Sequence, residues 1–150
     1  MARKIAFLLV GAMLLIAGVD LSAQDDALLI DWKMLSEVEF KDKYYPDFEA
    51  WYLYPEFPES IKKLDGKQVI IKGYIIPLDV EAGIYALSAY PFSSCFFCGG
   101  AGPESVMSLK FKSPPPRYDT DDVVQLTGTL ELNDSNVEEF NYILRKAREI

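Results

Sequence analysis

The predicted fold follows from one segment, Lys67-Gln68-Val69-Ile70-Ile71-Lys72-Gly73-Tyr74-Ile75-Ile76-Pro77. Its Val and Ile content, with Lys72 and Tyr74 interleaved, predicts a long β-strand after the turn signal Asp65-Gly66. Gly73 lies in the middle, and a glycine inside a strand often marks a bulge or a tight bend. We therefore expect this strand to bend and to serve two edges of a small barrel.

Three further segments have the pattern of strands, namely residues 84–89, 106–112 and 123–132. In the second segment, Met107, Leu109 and Phe111 alternate with polar residues, as in a half-buried strand. The alternation resumes in the third segment after a polar, proline-rich connection. These strands follow one another along the chain and predict a mainly β protein.

The C-terminus has a pattern that favours a helix. Ser135 and Glu138 have the spacing of a capping box. Apolar residues then recur at helical spacing, and basic residues occupy the last turns, where they suit the helix dipole: Val137, Phe140, Ile143 or Leu144, and Ala147, then Arg145, Lys146 and Arg148. The predicted fold is thus a small OB-like antiparallel barrel with an aromatic-rich N-terminal segment and a C-terminal helix.

Residues 32–57 hold nine of the twenty aromatic residues of the chain. Pro46, Pro55 and Pro58 exclude a long helix here, so we expect a short helix around Trp32 and Leu35 and then an irregular or extended chain. Residues 24–63 are predicted to form an extension that packs on the barrel, and residues 64–150 the barrel and the helix. The alternative is an exposed aromatic groove that binds a ligand or a peptide.

The N-terminus has the features of a secretory signal peptide. Arg3 and Lys4 precede an apolar run, residues 5–19, and Leu21-Ser22-Ala23 ends in small residues. The run is shorter than the ~20 residues that a spanning helix needs. We expect cleavage after Ala23 and a soluble, periplasmic or extracellular protein; the alternative is an uncleaved anchor.

The chain is acidic, with a formal charge of −8 that becomes −9 when residues 1–23 are removed. An acidic surface repels phosphate backbones, whose binding depends on Lys and Arg. Nucleic acid is therefore excluded as an expected partner. The partners that remain are another exported protein or a small ligand.

Cys95-Phe96-Phe97-Cys98-Gly99-Gly100-Ala101-Gly102-Pro103 is the segment that points to chemistry, because the chain has no other cysteine and no histidine. Two cysteines at this spacing in an exported protein form a disulfide, a redox-active dithiol or part of a metal site. A bridge across so short a loop contributes only ~2 kcal/mol of stability. Gly99, Gly100 and Gly102 indicate a tight loop open to close approach of a partner, with Phe96 and Phe97 as its anchors.

A metal site at Cys95 and Cys98 needs further ligands for zinc, which takes four in structural sites. Glu104, Asp79 or Glu81 are candidates, as are two cysteines of a second copy of the chain in a homodimer. Met107 offers a thioether, and Cys with Met suits copper, although the alternation places Met107 in the core. Zinc and copper are both left open as cofactors.

A thioredoxin-like enzyme would place its first cysteine at the N-terminus of a helix, which lowers the thiol pKa. Here a glycine-rich segment and a predicted strand follow the pair. A thiol-disulfide oxidoreductase or redox carrier that uses the same two cysteines is therefore the alternative. The preferred hypothesis is a non-enzymatic exported binding module whose Cys95/Cys98 loop is a disulfide or a metal site.

Three stretches carry a resemblance to a group of small exported bacterial proteins of unknown function: Leu64-Asp65-Gly66-Lys67, Gly73-Tyr74-Ile75-Ile76-Pro77-Leu78 and Cys95-Phe96-Phe97-Cys98-Gly99-Gly100. The resemblance extends from Trp32 to the end of the chain and implies an OB-like fold with a cysteine-containing loop. Some members of the group have a histidine near the cysteine, which suits metal binding. This chain has none.

Overall fold

The computed structural model describes residues 27–150, so the predicted signal peptide lies outside the described residues. The elements, in chain order, are β1 (Leu28–Leu29), α1 (Trp32–Leu35), β2 (Glu39–Tyr45), β3 (Ala50–Glu56), α2 (Glu59–Lys62), β4 (Gln68–Asp79), β5 (Ile84–Ser88), β6 (Val106–Phe111), β7 (Val123–Leu132) and β8 (Tyr142–Glu149). Short 3-10 turns occupy Pro46–Phe48, Phe92–Ser94, Phe96–Cys98 and Pro103–Ser105. Within the described range, no helix is long and apolar enough to cross a membrane.

Five strands form a closed barrel in the order β4-β5-β6-β8-β7, with β7 pairing back onto β4. The predicted mainly β barrel is confirmed. The prediction of an antiparallel barrel is wrong at one pair, because β6 and β8 run parallel and make the barrel mixed. The short strand β1 adds to β4 in parallel, and β2 and β3 form a separate antiparallel hairpin.

Strand β4 closes the barrel because it pairs with two neighbours. Residues 68–74 pair with β7, and residues from Tyr74 onward pair with β5. Tyr74 faces both Ser88 and Val123 across the two ladders, next to the glycine at which the bend was predicted. A Cβ on Gly73 would lie 2.7 Å from the Ser88 carbonyl oxygen, so the residue without a side chain allows the two strands to approach closely.

The predicted C-terminal helix is wrong, because residues 142–149 form strand β8. Residues 133–141, including the supposed capping pair Ser135 and Glu138, form the loop between β7 and β8. Lys146 has a positive φ of 53°, and the register with β6 skips it, since Lys110 pairs with Arg145 and Phe111 with Ala147. This bulge brings Ala147 back to the interior. The buried residues Ile143, Leu144 and Ala147 therefore have the spacing of a helix although they lie in a strand.

The N-terminal elements bury apolar side chains in the same core as the barrel strands. Leu35 of α1 and Ile61 of α2 are fully buried in the cluster that contains Val69, Leu126 and Leu144. The buried Tyr142 hydroxyl donates a hydrogen bond to the Leu35 carbonyl oxygen at 2.7 Å. The Trp32 indole N–H also donates to the Lys72 carbonyl oxygen of β4 at 2.9 Å. Both bonds join α1 to the barrel.

We predict that Gly73→Ala lowers the free energy of unfolding by about 1–3 kcal/mol, because the added methyl group meets backbone that has little room to move. Chemical denaturation followed by circular dichroism measures the change. The matched control is Lys72→Ala, an exposed neighbour in the same strand. Equal stability of the two variants would contradict the role of Gly73 in barrel closure.

We predict that Tyr142→Phe lowers the free energy of unfolding by about 1–2 kcal/mol, because the buried Leu35 carbonyl oxygen loses its shorter hydrogen bond and keeps only the 3.5 Å bond from the Val38 amide. Tyr90→Phe, which changes an exposed tyrosine, serves as the control and should leave the midpoint unchanged. If Tyr142→Phe unfolds at the same denaturant concentration as the native protein, the bond does not attach α1 to the barrel.

Candidate functional site

The cysteine loop connects β5 to β6 and is tied down at both ends. The Ala89 amide donates to the Ser105 carbonyl oxygen at 2.9 Å and closes the base of the loop. The Phe92 amide donates to an Asp121 carboxylate oxygen at 2.6 Å and attaches the loop to the connection before β7. The loop is therefore held as a fixed part of the barrel surface.

Cys95 and Cys98 stand at the two ends of a single turn. The Cys98 amide donates to the Cys95 carbonyl oxygen at 3.2 Å, and the Gly100 amide donates to the same oxygen at 3.2 Å. Such a turn places the first and fourth Cα atoms within about 7 Å of each other. This separation is compatible with a bridge between the two sulfur atoms. Both cysteines are free thiols in the structure.

The glycines that follow the pair permit this turn. Gly99 has a φ of +71°, in the left-handed region that glycine adopts without strain. A Cβ on Gly100 would lie 2.6 Å from the Ser94 carbonyl oxygen, so the chain folds tightly back on the preceding turn. Gly102 lies farther along the loop, and the Glu104 carboxylate occupies the space beside its Cα.

The two thiols differ in their surroundings. Cys95 is fully buried against Ile76, Ala86 and Val106, whereas Cys98 is exposed. Partial desolvation, followed by the charge and the hydrogen bond of the neighbouring Cys95, raises the pKa of the Cys98 thiol above its usual value. The exposed sulfur is consequently protonated at neutral pH. It is a weaker nucleophile there than a thiol with a lowered pKa.

Three phenylalanine rings pack on one another beside the cysteine turn. Phe96 is half-buried and Phe97 exposed, and both pack edge-to-face on Phe140 of the β7–β8 loop, with centroids 6.1 and 5.7 Å away. Their own centroids are 5.7 Å apart. The aromatic cluster thus connects the cysteine loop to the β7–β8 loop.

The β7–β8 loop is organised by the side chain of Asn133. Its amide nitrogen donates to the carbonyl oxygens of Asn136, Glu139 and Phe140, and its amide oxygen accepts from the Ser135 and Asn136 amides. This loop was not predicted from the sequence, where its residues were assigned to a helix. The cluster Asn133-Asp134-Ser135-Asn136 is typical of a loop and could have indicated it.

The β2–β3 hairpin exposes aromatic residues on both faces, with Tyr44 and Trp51 on one face and Phe48 and Tyr52 on the other. Trp51 is 68% exposed, and Tyr44 packs on it with ring centroids 5.5 Å apart. On the face that carries Tyr52, the Tyr54 hydroxyl donates to an Asp134 carboxylate oxygen at 3.3 Å, which connects the hairpin to the β7–β8 loop. An irregular or extended aromatic segment was predicted from the sequence, but the pairing of its two halves into a hairpin was not.

A groove of about 420 Å³ separates the hairpin from the barrel. The hairpin contributes Tyr45, Trp51, Tyr52, Leu53 and Pro55, and the opposite side is formed by Phe96, Pro103 and residues 133–137 and 139–141. Phe96, the residue that follows Cys95, therefore reaches a surface that also includes the exposed aromatic hairpin. The groove and the cysteine loop adjoin each other.

The predicted metal ligands do not form a conventional cluster. Among residues 27–150, no group of three or more Cys, Asp, Glu or His side chains converges on one point. Met107 is fully buried in the main core, whereas Cys95 belongs to the smaller cluster around Ile76. The sulfurs of Cys95 and Cys98 are thus the soft donors that the structure brings to one turn.

We predict that iodoacetamide modifies Cys98 in the native protein and Cys95 only after unfolding, because Cys95 is buried. The rate at Cys98 should be slow at pH 7 and should continue to increase with pH beyond the range in which an ordinary exposed thiol reaches its maximal rate, since the raised pKa keeps the thiol protonated to higher pH. Peptide mass spectrometry at several pH values measures both rates. Faster labelling of Cys95, or a Cys98 rate that is already maximal at pH 7, would contradict the geometry.

Comparison with known proteins identifies the fold and not the activity. No family model matches the chain, and no curated protein matches it. The crystal structure of a DUF3299 family protein from Pseudomonas aeruginosa PAO1 is similar, with a TM-score of 0.52 and 17% sequence identity over 83% of this chain and 96% of that one. At this level of identity the likeness shows a shared fold.

Proposed function

We propose that the protein is an exported, non-enzymatic binding module in which the groove and the adjoining Cys95/Cys98 loop form the functional surface. The observation that carries the proposal is that one groove joins exposed hairpin aromatics to Phe96 of the cysteine turn. Exposed aromatic clusters at a concave site are typical of ligand and protein binding. The volume lies within the ~300–1,000 Å³ usual for small-molecule sites.

The barrel itself is proposed to be of the OB type. Support comes from the strand order, in which five strands close with β7 against β4 and β8 lies between β6 and β7. OB barrels bind their ligands on a strand face and the neighbouring loops. We also propose residues 24–63 as an extension packed on this barrel, which the burial of Leu35 and Ile61 supports.

The chemistry of the groove favours an aromatic or apolar ligand that is neutral or positively charged. Asp134 and Glu139 are among its lining residues, and the whole chain is strongly acidic. A nucleic acid would be repelled by these charges. The partner that we propose is therefore an exported protein segment or a small ligand without phosphate groups.

Export is proposed on the basis of the N-terminal sequence, with cleavage after Ala23 and a periplasmic or extracellular location. In such a compartment the Cys95/Cys98 pair forms either a disulfide or a metal site. Mass spectrometry of protein recovered outside the cytoplasm would give its first residue. A mature chain beginning at Gln24 is the expected result.

A thiol-disulfide exchange activity is the second candidate, and the contact of an exposed Cys98 with a buried Cys95 favours it. The raised pKa of the Cys98 thiol weighs against it, because efficient exchange proteins lower the pKa of the attacking thiol. An insulin-reduction assay separates the two. The binding module should be inactive, and turnover that depends on Cys98 would favour the enzyme.

We predict that the groove binds Nile red, a neutral fluorescent probe of apolar sites, and that Trp51→Ala combined with Tyr52→Ala weakens this binding about tenfold, or ~1.4 kcal/mol. Both side chains line the groove and are exposed. Tyr90→Ala is the control, because Tyr90 is an exposed aromatic residue outside the groove, with an exposed fraction between those of Trp51 and Tyr52. Equal losses in the control and the double variant would contradict the proposal.

A further inference from the structure

The donor set at the cysteine turn restricts the metal that it can bind. The turn presents two sulfur atoms, the chain has no histidine, and no third Cys, Asp or Glu side chain joins them in a cluster among residues 27–150. Structural zinc needs four ligands, and catalytic zinc needs three and a water. One chain therefore does not satisfy zinc at this turn.

Cu(I) has different requirements. It is a soft, closed-shell ion that accepts two thiolates in a nearly linear arrangement and selects sulfur over oxygen ligands. Cys95 and Cys98 are spaced by a turn that is closed by the Cys98 amide and the Cys95 carbonyl oxygen. The two sulfur atoms of this turn supply the two ligands that Cu(I) accepts.

The surroundings of the turn also suit this ion. Behind the sulfurs, Cys95 lies against Ile76, Ala86 and Val106, with Phe96 and Phe140 packed on the same cluster. On the other side, Cys98 is exposed. An ion can thus enter from solvent at Cys98 and be held against apolar groups that limit its contact with water and oxidants.

We propose that the reduced Cys95/Cys98 pair binds one Cu(I) per chain through its two thiolates. The inference rests on the proposed function and specifies which metal its cysteine site takes. Binding releases the two thiol protons and leaves the oxidation state of copper and sulfur unchanged. The affinity should therefore fall as the pH decreases, because protons compete with the metal for both sulfurs.

The experiment is an anaerobic titration of the reduced full-length protein, with Cu(I) supplied as its coloured bicinchoninate complex. The expected result is transfer of one equivalent per chain, and X-ray absorption should then show two sulfur neighbours around copper. Cys98→Ser should abolish the transfer. Since Cys98 is exposed, this variant should keep the native unfolding midpoint, and Cys95→Ser gives a second test if it also folds. Met107→Leu, a core change of similar volume, should retain the full equivalent.

Two results would overturn the proposal. One zinc ion bound per two chains, with dimerisation and no displacement by Cu(I), would indicate a shared zinc site. Failure of the reduced, folded protein to take copper from the complex would show that the pair is not a Cu(I) site. Nile red binding is measured on the same samples. If it persists, the binding-module function stands without the metal, and if it is also absent, the proposed function fails as well.

Discussion

The double pairing of β4 is the constraint on which the rest of the structure depends. One strand of twelve residues pairs with β7 along its first half and with β5 along its second half. The exchange of partners occurs at Tyr74, beside a glycine that leaves no room for a side chain. Without this exchange of partners the sheet would have two free edges, and the loops at its end would not be brought together.

Barrel closure places two connections side by side. The cysteine loop joins β5 to β6, and the loop organised by Asn133 joins β7 to β8. They meet through Phe96, Phe97 and Phe140. The hairpin then faces this junction and is joined to it by the bond from the Tyr54 hydroxyl to Asp134. The candidate site is thus assembled from three segments that are distant in sequence, so a rigid barrel is needed to hold them.

The strands with regular alternation could be predicted from the sequence, and so could the pairing of the Gly73 strand with two neighbours. The interpretation of residues 135–148 as a helix failed for a specific physical reason. The bulge at Lys146, with its positive φ, shifts the alternation of β8 so that its buried residues recur at helical spacing. The parallel pairing of β6 with β8 is a property of topology, which local patterns do not determine.

The cysteine pair was identified from the sequence because the chain has no other cysteine and no histidine. Phe96 and Phe97 were predicted to anchor its loop. The groove could not be predicted. Its lining comes from the hairpin and from residues 133–141, whose proximity to Phe96 depends on barrel closure. Composition predicted that aromatic residues would be exposed or would cover the barrel, and the hairpin does both, with Phe40 packed on the core and Trp51 in solvent.

If the cysteine loop and the aromatic hairpin belong to one site, alkylation of Cys98 should perturb both, and amide NMR spectra recorded before and after alkylation measure this. Gly83 is a suitable reference, because it lies in the turn at the opposite end of β5 from the cysteine loop. We expect shifts in the cysteine loop, in residues 133–141 and at the Trp51 indole N–H, with Gly83 unchanged. Shifts confined to residues 95–102 would contradict a single site.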